Sequence, residues 1–514
     1  MDSERVRIDE LMARSGVGFG TSGARGRVVE LTAPVCYAYT RGFLQHLEAV
    51  ADLRAGSGVA IAGDLRASTP AIMAAIAAAC VDAGYRPINC GFIPSPAVAA
   101  YGIARGIPSI MVTGSHIPDD RNGIKFNTAQ GEILKDDEAG IRAQTVALPA
   151  QVRIDALPPV DDQARTDYVR RYRDFFGSGA LTGMRVAVYE HSGVARDLLG
   201  EILVGLGAEV LRLGRSEVFM PVDTEAIRPE DVALARQWAE EHRFAAIVST
   251  DGDADRPLIG TERGDWLRGD VVGVLCAQAL GITAVATPVS SNSVVEACGS
   301  FARVERTRIG SPFVIAGMQA LQAAGHAAVA GYEANGGFLL ASAIGSVSRS
   351  GIEPGIESGN GSDNGSGTES GSGRDGRRLS ALPTRDAVLP ILALLVEVHA
   401  RGIPLSALGA DLPPRFTASD RLQDYPTERS RALIEALNAG GTVAMERLFG
   451  GLCGKVASID TTDGLRMRFD NGEIVHLRPS GNAPEFRCYN EADSESRAAE
   501  LNRACLEVLR RAGG

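Results

Sequence analysis

Five times the chain places a short apolar run directly before a polar loop: SGVAIAGDLR, IPSIMVTGSH, MRVAVYEHS, FAAIVSTDGD and HAAVAGYEANG. Ala-rich amphipathic stretches such as TPAIMAAIAAACVDAG lie between them. Strand-like runs alternating with helix-like stretches are the pattern of a parallel sheet covered by helices. In open α/β sheets, ligands bind just beyond the carboxyl ends of strands, so each loop sits where chemistry is expected. A chain of 514 residues is too long for one core and must spread this plan over several domains.

Composition narrows the partners. The formal charge of -11 leaves no basic stripe for a nucleic-acid backbone, so any phosphate site has to be a local cluster of Arg, Lys and backbone N–H groups. No apolar run approaches the roughly 20 residues that span a bilayer. The N-terminus, MDSERVRIDE, is charged and lacks the apolar region of an export signal, so a cytoplasmic location is expected, with no membrane partner. The cysteines at 36, 80, 90, 276, 298, 453, 488 and 505 form no CxxC pair and read as reduced thiols.

Two regions depart from the strand-and-loop plan. Residues 345–377 contain ESGNGSDNGSGTESGSGRDG, which has no apolar periodicity to offset its ordering entropy and reads as a flexible surface insertion. Beyond Asp411, the segments GTVAMERLFG, DGLRMRFDNGEIVHLRPSG and EFRCYNEA read as short antiparallel strands, with a hairpin at Asp470-Asn471-Gly472. A final helix, SESRAAELNRACLEVLRRA, covers them, making a separate α+β domain.

Four motifs carry chemistry. In TGSHIPDDRNGIKF, Ser115 stands at a strand-to-loop turn between Gly114 and His116, a position suited to a nucleophile or phosphate carrier. Lys125, ten residues on, can return to the same site as a cation or a general acid/base. The G-x-S-x-G elbow of a serine hydrolase is absent there. Next, Asp251, Asp253 and Asp255 alternate after the strand FAAIVST and are followed by Arg256, offering oxygen ligands to a hard cation. Together with Glu262 they also match an EF-hand loop, but Arg256 stands where that loop needs glycine, Pro257 follows, and a strand rather than a helix precedes. A phosphatase D-x-D loop would leave Asp255, Arg256 and the Ser115 loop without a role. The third motif, GYEANGG, offers Glu333 and Asn335 to vicinal sugar hydroxyls. The fourth, RPSGNAPEFR, gathers Arg478, Ser480, Gly481, Asn482 and Arg487 into a candidate cradle for a phosphate dianion. By contrast, the G-x-G-x-x-G run from Gly18 to Gly23 lacks the strand before and the helix after that a dinucleotide site requires.

In this order and spacing, these motifs resemble the α-D-phosphohexomutase family, and within it the bacterial phosphomannomutase/phosphoglucomutase-like proteins. The resemblance runs from FGTSGARG to the last phosphate loop and leaves out only the Gly/Ser insertion. It implies an α/β fold of three similar mixed or parallel domains plus a C-terminal α+β lid, around a central cleft. The corresponding segments are 1–150 with the phosphoserine loop, 160–264 with the metal loop, 265–400 with the sugar loop and the insertion, and 411–514 with the phosphate loop.

Carried over by motif, Ser115 would be the phosphoserine with His116 beside it, and Asp251, Asp253 and Asp255 would hold Mg²⁺ together with a Ser115 oxygen. Lys125 and Arg25 would line the transfer site next to Arg256. Glu333 and Asn335 would bind sugar hydroxyls, and Arg478, Ser480, Gly481, Asn482 and Arg487 the phosphate that is not transferred. The implied reaction interconverts hexose 6-phosphate and hexose 1-phosphate through a hexose 1,6-bisphosphate, which also acts as activator. LPPRFTASDRLQDYPT and GYEANGG resemble phosphomannomutases more than phosphoglucosamine mutases, so mannose is the expected sugar. The alternatives are a sugar-phosphate phosphatase, or a mutase acting on glucose or glucosamine. Some family members carry histidines where this chain has Ser311 and Gly337, which leaves Lys125, His116 or another group as proton acceptor, Lys125 first among them. A monomer or a homodimer is expected.

Overall fold

In the computed structural model, the described residues are 4–20, 23–345, 376–480 and 484–512. Most of the insertion expected at 345–377 therefore lies outside the described residues, as do Gly481 and Asn482 of the phosphate loop. At the edges of the insertion, Ile344–Gly345 pairs antiparallel with Arg378–Leu379.

The first three sheets share one plan. In each, three parallel strands lie side by side, and a fourth runs antiparallel beyond the third. In the first sheet, Arg86–Phe92, Gly58–Gly63 and Ser109–Val112 are parallel, and Arg121–Thr128 is antiparallel. In the second, the order is Glu209–Leu213, Arg185–Tyr189, Ala246–Thr250 and Pro257–Gly260. In the third, it is Arg303–Thr307, Ala284–Pro288, Val329–Tyr332 and Phe338–Leu340, with Leu382–Asp386 added at the edge. Helices such as Thr69–Asp82 and Ser311–Ala323 each begin with proline in the first turn, where a missing N–H costs nothing. The G-x-G-x-x-G run joins two antiparallel strands, Gly18–Phe19 and Ala24–Arg27, and follows the helix Ile8–Ser15.

One apolar core passes through all three α/β units, from Ala60 and Ile88 through Tyr168 and Leu198 to Val272 and Ile391. Residues 416–512 have a core of their own, built around Phe449, Met467, Phe486 and Leu501. There, five antiparallel strands run in the order Phe416–Leu422, Phe486–Ala492, Ile474–Pro479, Leu465–Phe469 and Val456–Asp460, and the helix Glu495–Ala512 packs on them. The hairpin expected at Asp470–Gly472 joins two of these strands.

One expected strand is a correction. GTVAMERLFG lies in the helix Thr427–Cys453, which breaks at Gly441, where φ is +59°. Its buried residues Met445, Phe449 and Cys453 recur every fourth position, a helical stripe, while Val443 stays exposed. Burying Phe449 alone is worth about 2–3 kcal/mol, enough to override the β preference of the Thr-Val pair. No described helix is long and apolar enough to cross a membrane.

Candidate active site

The loops after the third parallel strand of each α/β sheet converge: 113–120 from the first, 251–256 from the second and 333–337 from the third. Ser115 leads the first loop and is fully buried, with φ +54°, a left-handed conformation that costs a non-glycine residue about 1–3 kcal/mol. The surroundings hold it there. Its N–H donates to Thr113 Oγ1 (2.7 Å), and that hydroxyl donates to Asp64 Oδ2 (2.7 Å). Its carbonyl accepts from Arg66 Nη2 (2.9 Å), and the same guanidinium also donates to the carbonyls of Ile117, Pro118 and Arg121. Arg66 is 1% exposed, paired with Asp64, and its head lies 3.9 Å from the centre of the Phe219 ring. Arg66 is thus a buried frame for the serine loop that the sequence reading missed. Its only signal was GDLR, another polar loop at the end of an apolar strand.

The serine loop and the aspartate loop touch directly. Ser115 Oγ donates to Asp251 Oδ2 at 2.6 Å and lies 3.3 Å from His116 Nδ1. At Gly252 a Cβ would come within 2.6 Å of the Ser115 carbonyl oxygen, so glycine permits the approach.

Asp251 is bonded through both oxygens, whereas Asp253 and Asp255 take their hydrogen bonds through one oxygen each. Asp251 Oδ1 accepts the N–H groups of Asp255 and Arg256. Asp253 Oδ2 accepts from Ser95 Oγ (2.5 Å) and Lys125 Nζ (2.6 Å). Asp255 Oδ2 accepts from Lys125 Nζ (2.7 Å) and from Arg385 Nη2 (2.7 Å) and Nε (3.0 Å). Asp253 Oδ1 and Asp255 Oδ1 are buried without a hydrogen-bond partner, as is Arg256 Nε, which lies 3.7 Å from Asp255 Oδ1 as a longer ion pair. One oxygen from each of the three acids falls within 4.8 Å of the others. Two orphaned carboxylate oxygens beside the serine-bonded Asp251 fit a divalent cation, which takes hard oxygen donors.

The electrostatics agree. Burial, then the charges of Asp253 and Asp255, push Asp251 well above the usual carboxylate range. Burial opposes the charge of Asp255, but Arg385, Lys125 and Arg256 outweigh it and hold that acid far below its ordinary value. Lys125 is likewise disfavoured by burial and still held above its ordinary value by Asp253 and Asp255. With its head on two carboxylates, Lys125 is arranged to neutralise charge. Arg25 is brought down to about 10, first by burial and then by Arg256. Burial, followed by Arg256 and Arg25, keeps the His116 imidazole far below its ordinary value and neutral.

The sugar-loop residues are already engaged. Glu333 Oε2 accepts from Arg385 Nη1 (2.8 Å), and Asn335 Oδ1 accepts the Gly337 N–H (3.0 Å). Thr224 Oγ1, from the second domain, donates to the Asn335 carbonyl (2.8 Å). Ser311 donates to Glu132 Oε2 (2.6 Å) of the first domain.

The C-terminal loop is held by side chains. Arg478 Nε donates to Asp463 Oδ1 (3.0 Å), and Arg487 Nη2 donates to Glu485 Oε2 (3.4 Å). The Ser480 N–H donates to the Glu485 carbonyl. Asp463 also accepts the Ile309 N–H (3.0 Å), and Glu491 binds Arg415 and Ser293. These polar latches seat the C-terminal domain on the third one.

The fold is that of known proteins. A phosphoglucomutase/phosphomannomutase family protein from Burkholderia thailandensis matches it with a TM-score of 0.70 at 20% identity, covering 96% of this chain and 97% of that one. Fold and kinship together define an intramolecular phosphotransferase, an enzyme of the phosphohexomutase class. Models of phosphoglucomutase/phosphomannomutase match four parts of the chain: alpha/beta/alpha domain I at 16–150, domain II at 166–264, domain III at 268–356 and the C-terminal domain at 426–508. A phosphomannomutase of Sinorhizobium fredii is 43% identical over 499 residues, covering 96% of this chain and 99% of that protein. One from Salmonella muenchen is 42% identical over 503 residues, covering 98% and 97%. The chain belongs to the phosphoglucomutase/phosphomannomutase family.

Proposed function

We propose that this enzyme interconverts mannose 6-phosphate and mannose 1-phosphate, with Ser115 as the phosphoryl carrier and a hexose 1,6-bisphosphate as intermediate and activator. The observation that carries the reading is the contact of Ser115 Oγ with Asp251, beside two buried carboxylate oxygens that accept no hydrogen bond. In this reading Asp251, Asp253 and Asp255 hold Mg²⁺ together with a Ser115 oxygen. When bound, the cation neutralises charge on the transferring phosphoryl group.

The chain's own residues do the rest. Phosphorylated Ser115 donates to a free hydroxyl of the sugar phosphate: the Oγ–P bond breaks, the sugar O–P bond forms, and the hydroxyl proton, carried by a base of the site, ends on Ser115 Oγ and restores the serine hydroxyl. The bisphosphate then turns over and returns its other phosphoryl group to Ser115. Lys125, Arg25 and Arg256 offset negative charge at the transfer site, with His116 at the serine oxygen. Glu333 and Asn335 hold sugar hydroxyls. Arg478, Ser480, Gly481, Asn482 and Arg487 take the resting phosphate of either orientation. Mannose as the sugar is supported by the two phosphomannomutases with which the chain shares over 40% of its residues. The free, mostly buried cysteines suit a reducing compartment such as the cytoplasm.

The test is a panel of mannose, glucose and glucosamine 6-phosphates with Mg²⁺ and a bisphosphate primer. The expected result is conversion of the mannose ester at the highest kcat/KM with no release of inorganic phosphate. Stoichiometric phosphate release would replace the mutase with a phosphatase, and a preference for glucosamine would overturn the sugar assignment.

A further inference from the structure

Arg385 belongs to none of the motifs that point to the site, yet its guanidinium joins two of them. Two of its nitrogens donate to Asp255 Oδ2 and the third to Glu333 Oε2, and the side chain is 3% exposed. The planar fork fits this task, because a guanidinium can hold two carboxylates at a defined separation where an ammonium supplies only a point charge. By filling Asp255 Oδ2 together with Lys125, it leaves Oδ1 as the oxygen without a hydrogen bond, with only Arg256 Nε near it at 3.7 Å.

The strand carrying Arg385 is anchored on both sides. Thr384 donates to Glu132 Oε1 (2.6 Å) of the first domain. Asp386 accepts the hydroxyls of Tyr168 and Tyr172 from the second domain's helix Gln163–Phe176. The same carboxylate also accepts the Val388 N–H at the start of the helix Val388–Arg401. Residues 384–386 therefore tie together all three α/β domains. Gly337 completes the arrangement, since a Cβ there would fall 2.8 Å from Arg385 Cδ. The sugar loop lacks a side chain at the point where the arginine passes.

We propose that Arg385 is a positioning residue that makes cation binding at the aspartates and sugar binding at Glu333 mutually dependent. The inference rests on the roles assigned to Asp255 and Glu333 above. A shift of Glu333 toward a sugar hydroxyl moves the guanidinium, and the guanidinium sets the orientation of Asp255. By linkage, a cation that orders Asp255 must then favour sugar-phosphate binding by the same factor.

The experiment measures Mn²⁺ affinity by electron paramagnetic resonance on the full-length protein, with and without saturating mannose 6-phosphate. The parent is expected to bind Mn²⁺ about fivefold tighter or more when the sugar phosphate is present. In Arg385→Gln the two ligands should bind independently, to within twofold. Arg385→Lys keeps the charge without the fork and should recover less than half of the factor. Gly337→Ala, which crowds the arginine without removing it, should also lower the factor, and it gives a reading if Arg385→Gln fails to fold. A parent factor of one, or a parental factor in either Arg385→Gln or Gly337→Ala, would overturn the proposal, and full recovery in Arg385→Lys would overturn the bridging role. Turnover of mannose 6-phosphate by the parent, measured separately, tests the mutase assignment on its own.

Discussion

The aspartate centre and the proposed C-terminal phosphate loop both set cations against carboxylates, but they hold them differently. At the centre, Lys125 and Arg385 are nearly buried and each spans two acids, and the Ser115 loop is framed by a buried arginine. In the C-terminal domain, Arg478 and Arg487 are 19% and 40% exposed, and among the described carboxylates each hydrogen-bonds to a single one. The first arrangement suits chemistry, which gains from groups fixed before the substrate arrives. The second suits a site that must release a phosphate and take it back by the other end, since each arginine can exchange its partner for the ligand. Their settings match: the centre lies among three domains that share one core, and the loop lies in a domain with a separate core and polar latches.

The sharpest way to break this contrast is Ser115→Ala. Mutase activity should fall by at least about 10³-fold while Mn²⁺ binding persists. A near-parental rate in a coupled assay would end the phosphoserine assignment. Next comes Arg66→Met, which leaves Asp64 buried without its ion pair and four loop carbonyls without their donor. Breaking such a pair costs about 3–5 kcal/mol, so the first thermal transition should drop markedly. An unchanged midpoint would mean that the serine loop holds its own shape.

Arg478→Ala tests the exchangeable side. Loss of one charge-assisted bond to phosphate should raise KM about tenfold and change kcat by less than about threefold. An equal fall in kcat and kcat/KM would instead place Arg478 in the transition state. A further effect concerns acid. Burial lowers the pKa of His476 to about 4, below its ordinary 6.5. Between those values the unfolded chain takes up a proton that the folded domain refuses. Stability is therefore complete above pH 6.5 and falls as pH drops toward 4, by up to roughly 3 kcal/mol. His191, beside the aspartate loop and also lowered to about 4, adds a similar acid sensitivity to the second domain. His476→Gln should relieve the acid loss in the C-terminal domain alone, read as its thermal midpoint at pH 5 against pH 7.5. An unchanged pH dependence in that domain would exclude His476 as the cause.

Much of this was legible along the chain. The strand-then-loop repeats marked five candidate loops, of which the structure brings three together, and Ser115 and the alternating aspartates stood out because their spacing is local. The helix at 441–450 was read as a strand because Thr442 and Val443 suit either structure locally, and the buried four-residue stripe needs the packed sheet to become visible. Arg66, Ser95 and Arg385 carry no motif, since a buried arginine or serine looks like any surface one until its partner is known.

The sequence by itself determined that Ser115 and the three aspartates stand in loops at strand ends, because strand periodicity and residue type are properties of neighbours along the chain. Only the tertiary structure decided which oxygens of Asp253 and Asp255 are hydrogen-bonded and which are left for a cation. Lys125 and Arg385 each reach Asp255 across 130 residues of sequence, a pairing that arises only when three separate sheets close on one another.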